Sequence, residues 1–291
     1  MGITVLVTGA AGRLGRQVIG DLLQQGHRVR AFDIPEADFT GLTGLPDVEV
    51  ATGDVCDAAV MRQVTQRCQW VIHLAAILPP VSERDREQTM AVNLQGTKNL
   101  LDGLQAAGAE APLVFASSVA VYGDTASEEP PITVERTPRP RDVYGESKAR
   151  AEQFLAESGY PCTMLRIAGV AVPAFLEPPE PWPFTPEQRL EFVNRDDVAL
   201  AVTHCVGNRA ALGHIYHIAG GPSWQVRGYE YVAGYYEAYG LPAEEARFRD
   251  HPGPYDWYDT SSAQAMLDYQ RTSYPRFLSL LKEAVEEALR E

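Results

Sequence analysis

Hydrophobic runs alternate with helical periods through the first 168 residues of this chain. Strands are predicted at ITVLVTG, HRVRAFD, VEVATGD, QWVIHLAA, APLVFASS and PCTMLRIAGV. Helices are predicted over residues 14–25, 58–66, 89–107 and 144–158. Because parallel strands require crossover connections, this alternation predicts an α/β fold, a Rossmann-type doubly wound parallel sheet with helices on both faces.

A proline-rich segment interrupts the alternation. PAFLEPPEPWPFTPE, residues 173–187, holds six prolines, which exclude both a regular helix and a central strand. We predict a loop, either a cover over a functional site or a variable surface excursion. Beyond it, EFVNRDDVALAVTHCV predicts a strand, a turn and a helix capped by Asp196 or Asp197, and HIYHIAGG predicts another strand. Residues 275–291 predict a helix that packs one apolar side on the body.

The charge balance limits the possible partners. Lys and Arg number 25 against 39 Asp and Glu, a formal net charge of -14, and the basic residues are scattered singly. Such a chain repels nucleic acid and anionic membranes, so neither is expected as a partner. The start, MGITVLVTGAAG, does not resemble a signal peptide, and no apolar stretch approaches the ~20 residues that cross a bilayer. We therefore expect a cytoplasmic protein.

Cysteine and histidine spacing argues against a metal site. The four cysteines are far apart and form no CxxC pair, which favours buried free thiols over a disulfide framework or a zinc site. His214 and His217 lie three positions apart in the predicted strand HIYHIAGG, so their side chains point to opposite faces. No metal is expected.

The first candidate for binding chemistry is TGAAGRLG, residues 8–15, between the first predicted strand and helix. There a cofactor diphosphate can sit on exposed N–H groups at the positive end of the helix dipole. Gly9 permits the tight turn, Gly12 lets the backbone approach the diphosphate, and Gly15 lets the helix pack closely on the strand. Taken alone, such glycines also suit a purely structural turn. The predicted cofactor contacts are Gly9, Gly12, Arg13, Leu14 and Gly15.

Asp33 strengthens the dinucleotide hypothesis because it ends the second predicted strand, 18 positions beyond Gly15. An acidic residue near that position binds the adenosine ribose. A carboxylate there accepts hydrogen bonds from both ribose hydroxyls and repels a 2′-phosphate, which predicts NAD rather than NADP. Arg13 or Arg30 would blunt that selectivity if either side chain reached the ribose.

The candidate for catalysis is YGESK, in which Tyr144 and Lys148 lie four apart and project from one face of a helix. A phenol with a pKa of ~10 is a poor base at neutral pH, but a nearby ammonium stabilises phenolate. Tyr144 can then move a proton while a nicotinamide moves a hydride. In isolation the pair would be an ordinary helix-surface contact. Ser118, which follows a buried strand, is predicted to orient and polarise the substrate oxygen beside Tyr144.

Together these motifs resemble the extended short-chain dehydrogenases/reductases, specifically the NAD-dependent epimerase/dehydratase family. The resemblance runs through TGAAGRLG, Asp33, GDV at 53–55, HLAA at 73–76, VNLQGTKNLL at 92–101, SSVAVYG, YGESK, LRIAGV and FVNRDDVA. The conjunction of these motifs in this order argues against chance. The resemblance implies that Tyr144 is the acid/base. It also implies that helices beginning near Thr89 and Tyr144 form a four-helix homodimer interface or, alternatively, pack within one chain.

The resemblance also implies cofactor contacts that spacing does not give. Asp54 and Val55 would lie at the adenine. Ala75 and Ala76 would follow the diphosphate and ribose, and Asn93 would support the catalytic region. Lys148 would also hold the nicotinamide ribose. The further implied contacts are Leu74, Ser117, Tyr144 and Ile167.

Departures from the family pattern narrow the substrate. Sugar-nucleotide enzymes of the family commonly read LRxxNVYGP, whereas LRIAGVAVP has Gly169 at the Asn position, so a contact to nucleotide-sugar phosphates is missing. His251 stands where the family often has an Arg, with Arg249 close enough to substitute. Three glutamates in the proline-rich loop suit a dianionic diphosphate poorly. Val119 and Ala120 replace the Asp-Glu of sugar dehydratases, which disfavours dehydration.

We therefore predict an NAD-dependent oxidoreductase acting on the secondary alcohol or ketone of a sugar, sugar derivative or small polyol, with hydride transfer to or from nicotinamide. The alternative is a UDP-sugar 4-epimerase with tightly held NAD. A non-catalytic NAD-binding protein is a third hypothesis, disfavoured because Tyr144 and Lys148 are both present. The NAD-binding domain would cover residues 1–168, with 191–220 returning to it, and residues 169–291 would form a smaller, discontinuous substrate-binding part.

Overall fold

Seven parallel strands form the central sheet of the computed structural model, which describes residues 2–108 and 110–290. In chain order the strands are β1 (Thr4–Thr8), β2 (Arg28–Asp33), β3 (Val48–Thr52), β4 (Trp70–His73), β5 (Leu113–Ser118), β6 (Cys162–Ile167), β7 (Val170–Ala171), β8 (Arg189–Leu190), β9 (Val193–Asn194), β10 (Ile215–Ile218) and β11 (Val226–Arg227). The sheet order is β10-β6-β5-β4-β1-β2-β3. Outside it, β7 pairs with β9 and β8 with β11. The Rossmann-type fold class is confirmed.

Helices cover both faces of the sheet. They are α1 (Arg13–Gln24), α2 (Ala58–Val64), α3 (Arg86–Met90), α4 (Gly96–Ala106), α5 (Val143–Ser158), α6 (Arg195–His204), α7 (Gly228–Tyr239), α8 (Ser261–Leu267) and α9 (Tyr274–Ala288). A π-helical turn, Ala91–Gln95, joins α3 to α4. The single helix predicted over 89–107 therefore starts earlier and contains one wider turn.

Alternation along the strands explains the two layers of core. Val5 and Val7 of β1 pack in one cluster with residues of α1 and α6, and Leu6 packs in another with residues of α2 and α4. Both faces of the sheet are thus buried, as a parallel sheet requires. Strand order reverses between β1 and β4. The crevice outside the carboxyl ends of the strands at such a switch point is where doubly wound folds bind ligands.

The chain after β6 builds a separate, aromatic core around Trp182, Phe184 and Tyr231. Between β7 and β8 the proline-rich segment contains neither helix nor strand, as predicted. Strand β10 lies at the edge of the main sheet, and α6 packs against α1. Both observations agree with a return of residues 191–220 to the first domain, while the domain boundaries themselves stay a prediction.

The predicted cap of α6 was wrong. Asn194 occupies the N-cap position, and Asp196 and Asp197 lie inside the first turn. The Asp197 carboxylate instead accepts hydrogen bonds from the backbone N–H groups of Arg271 (3.1 Å) and Thr272 (2.9 Å). It is engaged in holding the segment that leads into α9, which a local sequence pattern does not reveal.

Two observations concern metal binding and membrane spans. Within residues 2–108 and 110–290, no group of three or more His, Cys, Asp or Glu side chains is arranged to hold a metal ion. In the same ranges, no helix combines the length and hydropathy that crossing a bilayer requires. His217 is buried within β10, whereas His214 is exposed and precedes that strand.

Candidate active site

The glycine turn between β1 and α1 has little room for side chains. Gly9 has a φ of +72°, and a Cβ there would lie 2.8 Å from the backbone nitrogen of Ala75. A Cβ on Gly15 would lie 2.3 Å from the carbonyl oxygen of Gly9. Gly12 is the N-cap of α1, and among the described residues no side chain caps this helix. The N–H groups of its first turn are therefore available to an anion such as a diphosphate.

Asp33 lies at the end of β2, where two backbone amides fix its carboxylate. Ala11 N–H donates to Oδ2 and Ile34 N–H donates to Oδ1, each at 2.9 Å. Arg30 points elsewhere: its Nε donates to Glu49 at 3.0 Å and its Nη1 to the carbonyl oxygen of Val64 at 2.7 Å. Arg30 therefore does not reach the position predicted for the ribose, whereas Arg13 lines the same cavity as Asp33.

A single cavity of about 840 Å³ runs along the carboxyl ends of the strands. Every residue predicted to bind the cofactor or to act in catalysis lines it, except Asn93. These residues are Gly9, Gly12, Arg13, Leu14, Gly15, Asp33, Asp54, Val55, Leu74, Ala75, Ala76, Ser117, Ser118, Tyr144, Lys148 and Ile167. The first and last of them, Gly9 and Ile167, lie 158 positions apart in the sequence.

Tyr144 and Ser118 meet at one end of the cavity, where α5 begins and β5 ends. Burial raises the pKa of the Tyr144 phenol to about 12, although a hydrogen bond with the Ser118 side chain acts in the opposite direction. The phenol is therefore neutral at pH 7, in a state ready to donate a proton. The sequence predicted that the Lys148 ammonium would lower the pKa of this phenol, but in the protein without cofactor the pKa lies above its ordinary value.

Lys148 is almost fully buried beneath Tyr144. Its Nζ donates to the carbonyl oxygen of Ala116 at 2.8 Å and lies 5.9 Å from the centre of the Tyr144 ring. Burial lowers the pKa of the ammonium to about 8, while Glu152, one helical turn further on, acts to raise it. Lys148 thus remains mostly charged at neutral pH, close to the phenol.

Asn93 contributes through the wall of the cavity. It sits in the π-helical turn, where its Oδ1 accepts from Ile77 N–H at 2.7 Å. Its Nδ2 donates to the carbonyl oxygen of Ile77 and to Ser147 Oγ, both at 3.0 Å. The side chain therefore ties the segment after β4 to the helix that carries Tyr144.

Ser117 presents less to the cavity than predicted. Its hydroxyl donates to the buried Glu152 carboxylate, which pairs with Arg166 at 2.7 Å. Since the proton of this hydroxyl is already engaged, a cofactor contact of Ser117 would use its backbone or the lone pairs of Oγ.

Several residues of the cavity wall were not anticipated from sequence. Ile77 and Leu78 directly follow HLAA, Val170 and Val172 follow LRIAG, and Arg195 opens α6. Leu78 is 56% exposed and Val170 is 45% exposed, although both line the cavity. Their adjacency to recognisable motifs was a usable signal, and Arg195 lies inside the motif FVNRDDVA.

Arg189 is a cation of a second region, outside the residues that line the cavity. Arg189 is paired with the buried Asp256 carboxylate through two nitrogens, with Nη2 and Oδ2 2.9 Å apart. Thr125 Oγ1 donates to the same carboxylate at 2.6 Å. Arg249 and His251 are exposed and do not line the cavity. The positive charge of Arg189 is thus neutralised within the chain.

Comparison with known proteins places these features in context. Residues 5–174 match the model of the NAD dependent epimerase/dehydratase family. The chain is 36% identical over 161 residues to the 3β-hydroxysteroid dehydrogenase/Δ5→4-isomerase of Mycobacterium tuberculosis, covering 53% of the chain and 43% of that protein. It is 36% identical over 165 residues to the D-erythronate dehydrogenase of Cupriavidus necator, covering 53% and 50%. The chain spans about half the length of these curated relatives.

Among solved structures, a short-chain dehydrogenase/reductase superfamily protein from Agrobacterium tumefaciens with bound NAD has a TM-score of 0.82 at 23% identity. The match covers 98% of each chain. At this level of identity the likeness concerns the fold alone.

Proposed function

Since this chain belongs to the NAD-dependent epimerase/dehydratase family, we propose that it is an NAD-dependent oxidoreductase acting on the secondary alcohol or ketone of a sugar, sugar derivative or small polyol. The chain is an enzyme of the extended short-chain dehydrogenase/reductase type. The observation that carries the finer proposal is that Ser118, Tyr144 and Lys148 line the same cavity as the glycine turn and Asp33.

The residues present fit a dinucleotide. The uncapped first turn of α1 offers N–H donors for a diphosphate, and Gly9 lets the turn pass close to the backbone of Ala75, where a Cβ would clash. Asp33 would accept hydrogen bonds from the adenosine ribose. Arg30 is turned away, whereas Arg13, Asp33 and Glu36 all line the cavity. The net negative charge of these three lining residues favours NAD over NADP.

Proton transfer falls to Tyr144. Bound NAD supplies the hydride donor or acceptor and, when oxidised, a positively charged ring. A neutral phenol suits proton donation to a ketone, and Ser118 would hold the carbonyl oxygen beside it. In the oxidative direction the phenol has to lose its proton, and the Lys148 ammonium favours that loss electrostatically. Lys148 would also bind the nicotinamide ribose.

A second candidate substrate is an apolar secondary alcohol or ketone. The exposed surfaces of Leu78 and Val170 inside the cavity favour it, because covering apolar surface stabilises a complex by about 25 cal/mol per Å². One relative at 36% identity is a hydroxysteroid dehydrogenase and another a dehydrogenase of a small hydroxy acid. The UDP-sugar 4-epimerase hypothesis is weaker, since Gly169 stands at the Asn position of LRxxNVYGP and Arg249 and His251 do not line the cavity.

A ligand screen followed by turnover tests these alternatives. Thermal stability is measured with NAD or NADP together with UDP-sugars, free uronates, polyols or alicyclic ketones, because mass action stabilises the folded state by whichever ligand it binds. Formation of NADH with a polyol or sugar supports the proposal, and NADH formation only with alicyclic alcohols supports the second candidate. Stabilisation by UDP alone, with no net reduction of added NAD, would revive the epimerase. Sedimentation of the same samples tests the predicted homodimer.

A further inference from the structure

The segment between β4 and α4 forms part of the cavity wall and also touches the helix that carries Tyr144. It includes Ile77 and Leu78, a 3₁₀ turn over Val81–Glu83, and α3, and it packs against α5. Its first residues are held by Asn93, as described above. Its later residues are held by a contact that neither the motifs nor the family resemblance indicated.

Glu83 binds the start of α5 with both carboxylate oxygens. Val143 N–H donates to Oε2 at 3.0 Å and Tyr144 N–H donates to Oε1 at 3.1 Å. Ser82 Oγ donates to Oε1 at 2.9 Å, which fixes the carboxylate within its own turn. The third N–H group of the helix, on Gly145, donates to Asp142 at 2.6 Å. The first three donors of α5 therefore end on carboxylates, two of them on Glu83.

The charge state of Glu83 suits this contact. Partial burial acts to raise the pKa of its carboxyl, but hydrogen bonds from Val143, Ser82 and Tyr144 outweigh it and lower the pKa below the ordinary value. The carboxylate is therefore ionised at neutral pH. A negative charge at the N-terminus of a helix is also favoured by the helix dipole.

The backbone N–H group and the carbonyl oxygen of Tyr144 are thus held by different residues. Its N–H is held by Glu83, and its carbonyl oxygen accepts from Ser147 Oγ at 2.7 Å. Ser147 Oγ in turn accepts from Asn93, which binds Ile77. A displacement of the wall at Ile77 and a displacement of the phenol are therefore mechanically coupled.

We propose that Glu83 is a positioning residue for Tyr144, holding the phenol in register with the cavity wall formed by Ile77 and Leu78. This inference rests on the proposed function of Tyr144 as the acid/base. Loss of the carboxylate leaves two N–H groups at the helix start free to turn toward water, so the first turn of α5 loosens where the phenol is attached. The cofactor contacts at the glycine turn and Asp33 are on other elements and stay in place.

The fold does not depend on Glu83 alone. Arg86 on α3 pairs with Glu146 on α5 through two hydrogen bonds of 2.6 and 2.7 Å. The segment therefore remains attached to α5 when Glu83 is replaced. This separates a change in the position of Tyr144 from a general loss of structure.

The kinetic test compares Glu83→Ala, Glu83→Gln and Glu87→Ala in the full chain with NAD. Glu87 is an exposed carboxylate of the same segment and serves as the matched control for charge. We expect Glu83→Ala to lower kcat by about tenfold or more, because small misplacements of a catalytic group cost that much, with KM for NAD unchanged. Glu83→Gln keeps one acceptor oxygen and should retain an intermediate kcat, and Glu87→Ala should match the unmodified protein.

A structural readout keeps the test independent of turnover. The ring resonance of Tyr144 is followed in protein with isotope-labelled tyrosine and assigned by its absence in Tyr144→Phe. A shift in Glu83→Ala but not in Glu87→Ala supports positioning, even if no alcohol is oxidised, in which case only the proposed function fails. An unmoved resonance overturns the inference. So does a fall in kcat that Glu87→Ala reproduces, or one matched by an equal loss of NAD affinity.

Discussion

The glycine turn and Asp33 form what we call the cofactor side, after its proposed ligand. This side and the chain after β6 are built under different constraints. On the cofactor side, Gly9 and Gly15 leave no room for a Cβ, and Asp33 has to stand at the end of β2. After β6, the core consists of aromatic rings packed on one another, such as Trp182 against Tyr235 with centroids 5.3 Å apart. A fixed backbone path requires particular residue types at fixed spacing, as with the glycines and Asp33, and such a spacing can be recognised in a sequence. Ring packing can be satisfied by many residues in many orders.

The two regions also differ in the role of their buried charges. In the first region Lys148 stays charged under a cavity and faces the proposed reaction. In the second, Arg189 is cancelled by Asp256, and Glu191 is buried without a cationic partner among the residues described. The first arrangement is suited to chemistry, whereas the second fixes the shape of the chain after β6.

The largest expected effect comes from removing the phenol on the cofactor side. Tyr144→Phe should lower kcat by about 10²- to 10⁴-fold, the usual contribution of a general acid/base, with the dissociation constant of NAD nearly unchanged. Steady-state turnover and calorimetric titration with NAD measure the two quantities. Tyr229→Phe, at a 53% exposed tyrosine of the other region, is the control and should leave both unchanged. Full activity in Tyr144→Phe would remove Tyr144 from the mechanism.

The next effect concerns stability and the second region. Glu191 accepts hydrogen bonds from Gly221 N–H and Tyr258 N–H, both at 2.9 Å, and from Gln225 Nε2 at 3.0 Å. Burial raises the pKa of its carboxyl from 4.5 to about 7, even though these hydrogen bonds act to lower it. The folded protein therefore binds this proton more tightly than the unfolded chain does.

This difference in proton binding makes the stability of the folded protein depend on pH. Between pH about 4.5 and about 7 the unfolded chain has lost this proton whereas the folded state still holds it, so the free energy of unfolding falls by roughly 3 kcal/mol through this group as the pH rises across that range. Urea unfolding at pH 5 and pH 8 of the unmodified chain and of Glu191→Gln isolates the contribution, because other groups cancel in the comparison. An identical pH dependence of the two proteins would contradict the assignment.

The smallest effect tests cofactor choice. Asp33→Ser should raise the preference for NADP relative to NAD by about tenfold, which corresponds to about 1.4 kcal/mol of removed repulsion. The ratio of kcat/KM for the two cofactors is the measurement. Asp38→Ser removes a charge from an exposed position nearby that does not line the cavity, and should leave the ratio unchanged. An unchanged ratio in Asp33→Ser would place the ribose elsewhere.

The sequence was sufficient for the sheet and for most of the candidate site, because the glycine turn, Asp33 and YGESK each combine a local structure with a local chemical need. It was insufficient where one side chain serves a distant segment. The Asp197 carboxylate binds the backbone at Arg271 and Thr272, which lie 74 and 75 positions further along the chain. Glu83 binds the start of α5, 60 positions further along. Such partners are brought together only by the assembled fold, and the hydrophobic periodicity of the sequence does not indicate them. The π-helical turn at Asn93 was missed for the same reason.

The most direct test is a crystal structure of the protein grown with a saturating concentration of NAD. Our account predicts the adenosine ribose on the Asp33 carboxylate, the diphosphate over the first turn of α1, and the nicotinamide beside the hydroxyl of Tyr144 within reach of Ser118. A dinucleotide bound with its nicotinamide remote from Tyr144, or a cavity without dinucleotide under those conditions, would contradict it.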